Sequence, residues 1–296
     1  MTSPLTLKDR LNAYERLMRL DKPIGILLLL WPTLWGLWFA SGGLPPGHVL
    51  LVFVTGTVLM RSAGCVVNDF ADRNFDPHVE RTKDRPLAAG IIGAKEALAL
   101  AAVLMLLAFA FVLFLNALTI KLAFVAAAIA VIYPFVKRVF PLPQAWLGVA
   151  FGFGIPMAYA AVWNALPAIA WLLLLATVLW AIAYDTEYAM VDREDDLKIG
   201  VKSSAILFGR YDVLWVMTTH ALFLALMAWI GWQQTRGVYY FAGLLIAVAL
   251  VVYQYMLIRD RQRNGCFRAF LNNNWVGCAI FVGTAVDWWQ NPQVLT

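Results

Sequence analysis

The sequence has few charged residues and few cysteines for its length. Only 14% of the 296 residues are Asp, Glu, Lys or Arg, whereas a soluble domain has about 25%. The three cysteines are odd in number and far apart, which excludes a disulfide-stapled scaffold. No short apolar stretch with a small-residue cleavage site follows the first residues, so we expect no removable signal peptide.

Apolar residues fill the sequence instead, and they are collected into long runs. They make up 62% of the chain, and each run has the length that crosses about 30 Å of hydrocarbon. This pattern predicts an all-α, polytopic membrane protein with nine transmembrane helices in one domain, residues 1–296. The expected spans are 24–41, 48–67, 97–115, 118–136, 144–162, 168–187, 213–231, 238–257 and 274–290.

Charged residues are distributed very unevenly between the two sides of these spans. Of the 23 Lys and Arg, 21 lie in the N-terminal segment, in the long connections or, for Arg61, near that end of the second span. Only Lys121 and Arg236 lie on the other side, and Asp287 is the only acidic residue there. The positive-inside rule therefore predicts that residues 1–22 and the long connections are cytoplasmic. We read the net charge of +5 as a topology signal and expect no nucleic-acid partner.

Two acidic clusters follow the second and sixth expected spans. If each helix continues into the connection, residues spaced by three, four or seven positions share one face. The segments 72–76 and 192–196 also match at their first, second and fifth positions, which indicates an internal duplication with a site between the two repeats. The residues that share a face are Asn68, Asp72 and Asp76 in one cluster, and Asp185, Asp192 and Asp196 in the other.

The chemistry of these clusters is typical of a magnesium diphosphate site. Stacked carboxylates repel one another, and Mg²⁺ prefers one or two carboxylates together with water and phosphate oxygens. Basic residues follow each cluster and can donate to the remaining phosphate oxygens. Because the rest of the chain is apolar, we expect a lipid diphosphate whose tail lies among the spans. The basic residues are Arg81, Lys83 and Arg85 after the first cluster, and Lys198 and Lys202 after the second.

Five stretches of the sequence carry a resemblance to a known family. The sequence resembles the UbiA-type intramembrane prenyltransferases, most closely the 4-hydroxybenzoate polyprenyltransferase branch of ubiquinone biosynthesis. The two aspartate motifs are typical of the superfamily, whereas the segment DKPIG (21–25) and the stretch that begins at Tyr184 are typical of the hydroxybenzoate branch. The stretches are RLMRLDKPIG (16–25), GCVVNDFADR (64–73), RTKDRPL (81–87), YDTEYAMVDR (184–193) and GVKSS (200–204).

The resemblance implies a nine-span helical fold around a central cavity, with Mg²⁺ as cofactor. It implies transfer of a polyprenyl chain from polyprenyl diphosphate to an aromatic ring, with residues 68–96 and 188–212 as cytoplasmic active-site loops. A bacterial inner-membrane location with membrane lipid around the protein also follows, and no obligate protein partner is expected. Carried onto this sequence, the metal ligands are Asn68, Asp72 and Asp76 in one set and Asp192 and Asp196 in the other, with Asp69 and Asp185 supporting them.

The expected reaction starts with departure of the diphosphate, which Mg²⁺ and the basic residues Lys83, Arg85, Lys198 and Lys202 stabilise. The phenol ring of 4-hydroxybenzoate then attacks the allylic carbon, ortho to the hydroxyl group. A dry cavity is required because water would capture the cationic centre. Ring faces of Tyr133, Tyr184 and Tyr188 are candidates to stabilise that centre.

Several roles remain open at the level of sequence. Arg61, seven residues before Asn68, is an intramembrane cation and is expected to pair with an aspartate or to bind the benzoate carboxylate. Arg138 is an equally good partner for that carboxylate. Asp69 and Asp185 are both candidates to assist deprotonation of the phenol. Asn272 to Asn274 are expected to cap the last span.

Two alternative functions compete with this hypothesis. Other members of the same family would use homogentisate, naphthoate or haem as the acceptor. A secondary transporter would also have many spans, but its ionisable residues would lie near the bilayer midplane. The charged residues of this chain are concentrated at one interface, which favours the prenyltransferase.

Overall fold

The computed structural model describes residues 6–78, 82–199 and 202–291, and every regular element in this part of the chain is helical. Short 3₁₀ helices lie at Asp76–His78 and Gly209–Tyr211. The α-helices are α1 (Leu7–Leu17), α2 (Ile24–Ser41), α3 (Gly47–Asp72), α4 (Ala94–Val112), α5 (Ala117–Val139), α6 (Pro143–Gly152), α7 (Gly154–Trp163), α8 (Ala168–Ile199), α9 (Ser204–Phe208), α10 (Asp212–Gln233), α11 (Val238–Ile258) and α12 (Arg263–Gln290).

The all-α, polytopic membrane fold is confirmed. Within the described residues, eight helical segments are long and apolar enough to cross a membrane, and they correspond to the first eight expected spans. The third segment, Ala94–Val112, ends three residues before the expected span 97–115 does. The ninth expected span, 274–290, lies in α12, which is more polar and is not among these eight. The total of nine spans therefore stays a prediction.

The fifth expected span, 144–162, consists of two helices rather than one. α6 ends at Gly152 and α7 begins at Gly154, so the helix is interrupted at Phe153. Glycines on α6 allow its backbone to pack directly on α8, as small residues do in membrane helix pairs. A Cβ on Gly148 would lie 2.7 Å from the Cα of Val178. This close contact holds α6 directly against α8.

α12 begins eleven residues before the expected span, which corrects the prediction that Asn272 to Asn274 form a helix cap. The three asparagines lie inside the helix, and each one accepts a hydrogen bond from a different helix. The polar segment 263–273 continues the helix because these side chains find partners within the bundle. The donors are Gln254 of α11 to Asn272 (3.0 Å), Trp180 of α8 to Asn273 (2.9 Å) and Trp31 of α2 to Asn274 (2.9 Å).

The N-terminal segment folds onto the last turns of α3 and the first turns of α4. Leu17 of α1 is fully buried in a cluster with Val66 and Ile92. The Tyr14 hydroxyl donates to Glu96 of α4 over 2.5 Å. Residues 7–17 are thus a packed helix, whereas the sequence indicated only a charged segment before the first span.

Candidate active site

The two acidic clusters line one cavity of about 1390 Å³. One cluster comes from the end of α3 and the segment after it, and the other comes from the end of α8. Their predicted meeting at one site is what the structure shows. The residues of the two clusters that line the cavity are Asn68, Asp69, Asp72, Asp76, Asp185, Asp192 and Asp196.

The first cluster does not lie on one continuous helix, which corrects the sequence-based expectation for Asp76. α3 ends at Asp72, and Asp76 begins a separate 3₁₀ helix. Pro77 accounts for the break, because proline disfavours the α conformation in the residue before it and lacks an N–H donor. Arg85 Nη1 lies 2.9 Å from Asp76 Oδ2 and helps to turn Asp76 back into the cavity. Burial raises the pKa of the Asp76 carboxyl group, and the Arg85 guanidinium opposes this shift.

Asp69 is clamped between two arginines. Its side chain is 1% exposed and accepts a hydrogen bond of 3.0 Å from Arg85 and bonds of 3.0 Å from Arg19. Arg19 has a left-handed backbone conformation (φ 58°) just after α1. The clamp therefore ties the N-terminal segment and the residue 82–85 turn to the end of α3. From the sequence alone, Arg85 is predicted to bind diphosphate, and no role in the site is indicated for Arg19.

The second cluster does lie on one helix, as predicted. α8 continues through Ile199, so Asp185, Asp192 and Asp196 follow one another along its cavity side. Arg193 donates to the buried Asp212 over 3.2 Å, and Arg261 donates to the same carboxylate over 2.8 Å.

The matching arginine of the first repeat, Arg73, has a different environment. It is exposed, donates to the Phe70 carbonyl and lies 4.3 Å from the Phe70 ring centroid. The two repeats thus share their aspartates, while their arginines make unlike contacts.

The donor set fits Mg²⁺. Carboxylate and amide oxygens from two sides of one cavity are the ligands that Mg²⁺ accepts, with water and phosphate completing its octahedron. Among the described residues, no three His, Cys, Asp or Glu side chains form a metal site by themselves. Such a divided arrangement suits a cation that is also held by substrate phosphates.

The predicted cations occupy different positions. Arg85 and Lys202 line the cavity, and Lys83 is exposed and lies outside the lining. The side chains of Lys198 and Arg138 lie outside the described part of the structure. Arg16, Arg19 and Lys22 also line the cavity. These three residues belong to the stretch 16–25, which carries part of the family resemblance, and the sequence alone indicates only a topology role for their charges.

The cavity is also lined by Arg61 and by the three tyrosines predicted to stabilise the cationic centre. These four residues lie deeper in the cavity than the last residues of the two acidic clusters. The Arg61 guanidinium carbon lies 5.5 Å from the centroid of the Phe151 ring. Within the described chain Arg61 has no hydrogen bond or ion pair, so the alternative of an aspartate partner is not observed there. The tyrosines are Tyr133, Tyr184 and Tyr188, the last with its ring 4.7 Å from Phe270.

The sequence indicates no role for two polar residues of the lining, although Ser203 belongs to the stretch GVKSS (200–204). Gln144 is 4% exposed and Ser203 is 6% exposed. The Gln144 Oε1 and Ser203 Oγ atoms have no hydrogen-bond partner within the described chain. Buried polar atoms are usually paired, so these two are available to a bound molecule.

The remaining wall of the cavity is apolar. It is formed by α3, α4 and α5, which present mostly aliphatic and aromatic side chains and alanines. An apolar wall next to an acidic end suits a molecule with a charged head and a hydrocarbon tail. Representative lining residues are Val52, Phe53, Met105, Phe109, Val112 and Phe124.

Curated relatives are similar to the chain over almost its full length. A protein of Azoarcus sp. (strain BH72) named 4-hydroxybenzoate octaprenyltransferase is 61% identical over 284 residues, which cover 96% of this chain and 99% of the relative. A protein of the same name from Methylobacillus flagellatus is 61% identical over 291 residues, covering 98% of each chain.

Solved structures share the fold. An apo UbiA homologue from Aeropyrum pernix K1 aligns with a TM-score of 0.78 at 25% identity, covering 88% of this chain and 97% of that one. A UbiA homologue from Archaeoglobus fulgidus bound to GPP and Mg²⁺ aligns with a TM-score of 0.74 at 18% identity, covering 93% of this chain and 98% of that one. At this identity the similarity shows the fold alone. The family model described as "UbiA prenyltransferase family" matches residues 29–277 of the chain. The chain is a prenyltransferase and belongs to the UbiA prenyltransferase family.

Proposed function

We propose that the protein transfers a polyprenyl chain from polyprenyl diphosphate to 4-hydroxybenzoate, at the ring carbon ortho to the hydroxyl group. The observation that carries this proposal is the single cavity in which two acidic clusters adjoin an apolar wall. The relatives that are 61% identical are named for the same acceptor, which supports it over homogentisate, naphthoate or haem. Their names also favour an octaprenyl chain as the donor's tail.

The residues that would hold Mg²⁺ are divided between the two repeats. Asn68, Asp72 and Asp76 would form one set, and Asp192 and Asp196 the other. When bound, Mg²⁺ neutralises the diphosphate and so makes it a better leaving group. Asp69 supports the first set through Arg85, since this arginine contacts both Asp69 and Asp76. Asp185, about two helical turns before Asp192 on α8, would support the second.

Basic side chains would bind the diphosphate oxygens that face away from the carboxylates. Arg85 and Lys202 line the cavity and are placed to do so. Lys83 and Lys198 would approach from the loops that follow each cluster. A guanidinium that already contacts two carboxylates retains further N–H donors for a phosphate oxygen, because arginine has five.

The acceptor would lie deeper than the diphosphate. The guanidinium of Arg61 would bind the benzoate carboxylate, with Arg138 as the second candidate. The allylic C–O bond breaks and its electron pair leaves with diphosphate, while ring faces of Tyr133, Tyr184 and Tyr188 stabilise the cationic carbon. The ortho ring carbon then bonds to that carbon. The ring proton passes to a carboxylate, for which Asp69 and Asp185 are the candidates.

The distribution of charged residues between the two ends of the molecule supports a bacterial inner-membrane location with the active site on the cytoplasmic side. The acidic clusters lie at the end of the molecule where nearly all Lys and Arg are found. Lys and Arg are retained preferentially on the cytoplasmic side of bacterial membranes. The water-soluble acceptor and the released diphosphate would then exchange with the cytoplasm.

A direct test offers labelled octaprenyl diphosphate to the purified protein with one of several acceptors. We expect prenylated 4-hydroxybenzoate, formed only with Mg²⁺ present, and little product with homogentisate or dihydroxynaphthoate. Preferred product on another acceptor would reassign the enzyme within its family. Absence of product on every acceptor, from folded protein supplied with Mg²⁺, would reject the proposal.

Neutralising one aspartate from each cluster tests the divided metal site. We expect Asp72→Asn and Asp192→Asn each to lower kcat by at least about 100-fold, because stabilisation of the leaving group is lost. Asp260→Asn removes a carboxylate that is 71% exposed at its side chain and is the matched control. Full activity in the double variant Asp72→Asn, Asp192→Asn would contradict the proposed site.

A further inference from the structure

A missing side chain on α2 determines where the Arg61 guanidinium can lie. Gly25 is buried in the first turn of α2 and lines the cavity. A Cβ at this position would lie 2.5 Å from Arg61 Nη2, 2.6 Å from Nε and 2.9 Å from Cζ. The guanidinium therefore rests directly against the backbone of α2, in space that any other residue would occupy.

The Phe151 ring of α6 forms the second wall around this guanidinium. Its centroid lies 5.5 Å from Arg61 Cζ, within the range of a cation–π contact. Gly25 and Phe151 together form what we term the Arg61 cradle. Arg61 Nε is buried and has no hydrogen-bond partner within the described chain. The cradle thus fixes the guanidinium by shape and by a ring face while leaving its hydrogen-bonding capacity unused.

An anion is needed to complete this arrangement. A cation far inside a membrane bundle is costly without a negative partner, and the described residues supply no ion pair to Arg61. Arg61 lies seven residues before Asn68 on α3, which is about 10 Å along the helix. The cradle is therefore deeper than the acidic cluster, and a diphosphate held at that cluster does not account for it.

We propose that Gly25 is a specificity-determining residue: by leaving space for the Arg61 guanidinium against Phe151, it creates the binding site for the carboxylate of the aromatic acceptor. This inference rests on the proposed function, because it assigns the part of the acceptor that the cradle recognises. It places selection for an aromatic acid on a residue that makes no polar contact itself. Gly25 acts here as a positioning residue, through Arg61.

The substitution Gly25→Ala tests the proposal without removing any charged group. The atoms that must move are the flexible end of Arg61, and alanine favours an α-helix, so we expect the variant to fold. We expect KM for 4-hydroxybenzoate to rise about 10- to 100-fold, as for loss of a charge-assisted hydrogen bond. KM for octaprenyl diphosphate should stay within about twofold of the unmodified protein's value.

Gly47→Ala is the matched control. Gly47 begins α3, is not among the residues that line the cavity, and a Cβ there would meet no atom within 4 Å. We expect it to leave KM for both substrates unchanged. Thermal unfolding of both variants verifies that the added methyl group has not disturbed the fold.

A neutral analogue of the acceptor separates carboxylate recognition from general crowding. 4-Hydroxybenzamide has nearly the same shape but no charge, and its inhibition constant against 4-hydroxybenzoate should hardly change in Gly25→Ala. Arg61→Lys provides a second measurement, because the smaller ammonium head does not need the cradle. We expect Arg61→Lys to raise KM much less in the Gly25→Ala background than in the unmodified protein, since the two changes affect one contact.

Three results would overturn the inference. One is an unchanged KM for 4-hydroxybenzoate in Gly25→Ala, and another is an equal loss for the benzoate and the benzamide. The third is an equal effect of Gly47→Ala. Failure of the proposed function is distinguishable from these results, because it would appear as absent prenylation of 4-hydroxybenzoate by the unmodified protein.

Discussion

At the scale of single residues, the buried Asp69 is the most informative contact of the site. Its carboxylate forms salt bridges with Arg19 and Arg85, each with an N–O distance of 3.0 Å. The clamp holds together three segments that are distant in sequence. It also shares Arg85 with Asp76, a proposed metal ligand. Asp69 therefore affects both stability and the geometry of the first metal set.

We expect Asp69→Asn to weaken both properties. Removing one member of a buried charge pair costs on the order of 3 kcal/mol, because its partners are left uncompensated. Arg85 would then pair more fully with Asp76, so the Mg²⁺ concentration for half-maximal activity should rise about tenfold. Thermal unfolding and a Mg²⁺ titration of activity measure the two effects. Asp260→Asn is the control, and unchanged values for Asp69→Asn would show that the clamp is dispensable.

Residue spacing predicted the acidic clusters but not the contacts of their arginines. Asp192 and Asp196 lie on α8 as the spacing indicated. Arg73 and Arg193 occupy equal places in the repeated motif, yet only Arg193 meets a buried carboxylate, that of Asp212. Asp212 is 19 residues further along the chain, and a local pattern holds no information about such a partner. The break in the helix before Asp76 could have been predicted from the sequence, because Pro77 disfavours a continuous helix there.

At the scale of elements, α1 is an integral part of the end of the bundle that carries the acidic clusters. It contributes Leu17 to the cluster with α3 and α4, and the Arg19 side chain follows directly after it. The sequence identified residues 1–22 by their charges and missed the packing. Short helices with a few buried positions give weak periodic signals beside long apolar spans.

We expect Leu17→Ala to loosen α1 and thereby to lower activity. A fully buried leucine loses roughly 2–5 kcal/mol on truncation to alanine, because a cavity remains. Thermal unfolding in detergent should shift downward, and kcat should fall as Arg19 loses its fixed position. Leu11→Ala, on the same helix but 57% exposed, is the matched control. Equal behaviour of the two variants would show that α1 does not support the site.

The three asparagines of α12 join α12 to α2, α8 and α11. Asn273 is the most buried of these contacts, since it accepts from Trp180 and donates to Glu187 over 2.8 Å. We expect Asn273→Ala to destabilise the protein by about 1–3 kcal/mol, because two fully buried polar groups lose a partner. Asn274→Ala should cost less, since its partner Trp31 is only half-buried. Thermal unfolding compares the two, and the reverse order would contradict this view of the helix junction.

At the scale of the whole molecule, two residues that deviated from the one-sided charge pattern are partners. The side chains of Arg236 and Asp287 are fully buried, 3.6 Å apart, and Arg236 lies against the Trp288 ring. Asp287 also accepts from the Gly237 amide at the start of α11, where helical N–H groups lack partners. These charges join α11 to α12 and carry no topology signal. Lys121, which is exposed, is then the sole basic residue opposing the predicted orientation in the described chain.

The orientation of the whole molecule follows from this asymmetry and can be measured by cysteine labelling. After Cys65, Cys266 and Cys278 are replaced by serine or alanine, single cysteines are introduced at Asp260 and Gln233, which are exposed at opposite ends of the bundle. An impermeant maleimide should label Gln233→Cys in intact spheroplasts and Asp260→Cys only in inside-out vesicles. The physical reason is that translocating the many Lys and Arg of the long connections is unfavourable, whereas the opposite end carries almost no exposed cation. Labelling in the opposite sense would place the acidic cavity on the outer side of the membrane, away from the cytoplasmic acceptor, and would contradict the proposed location.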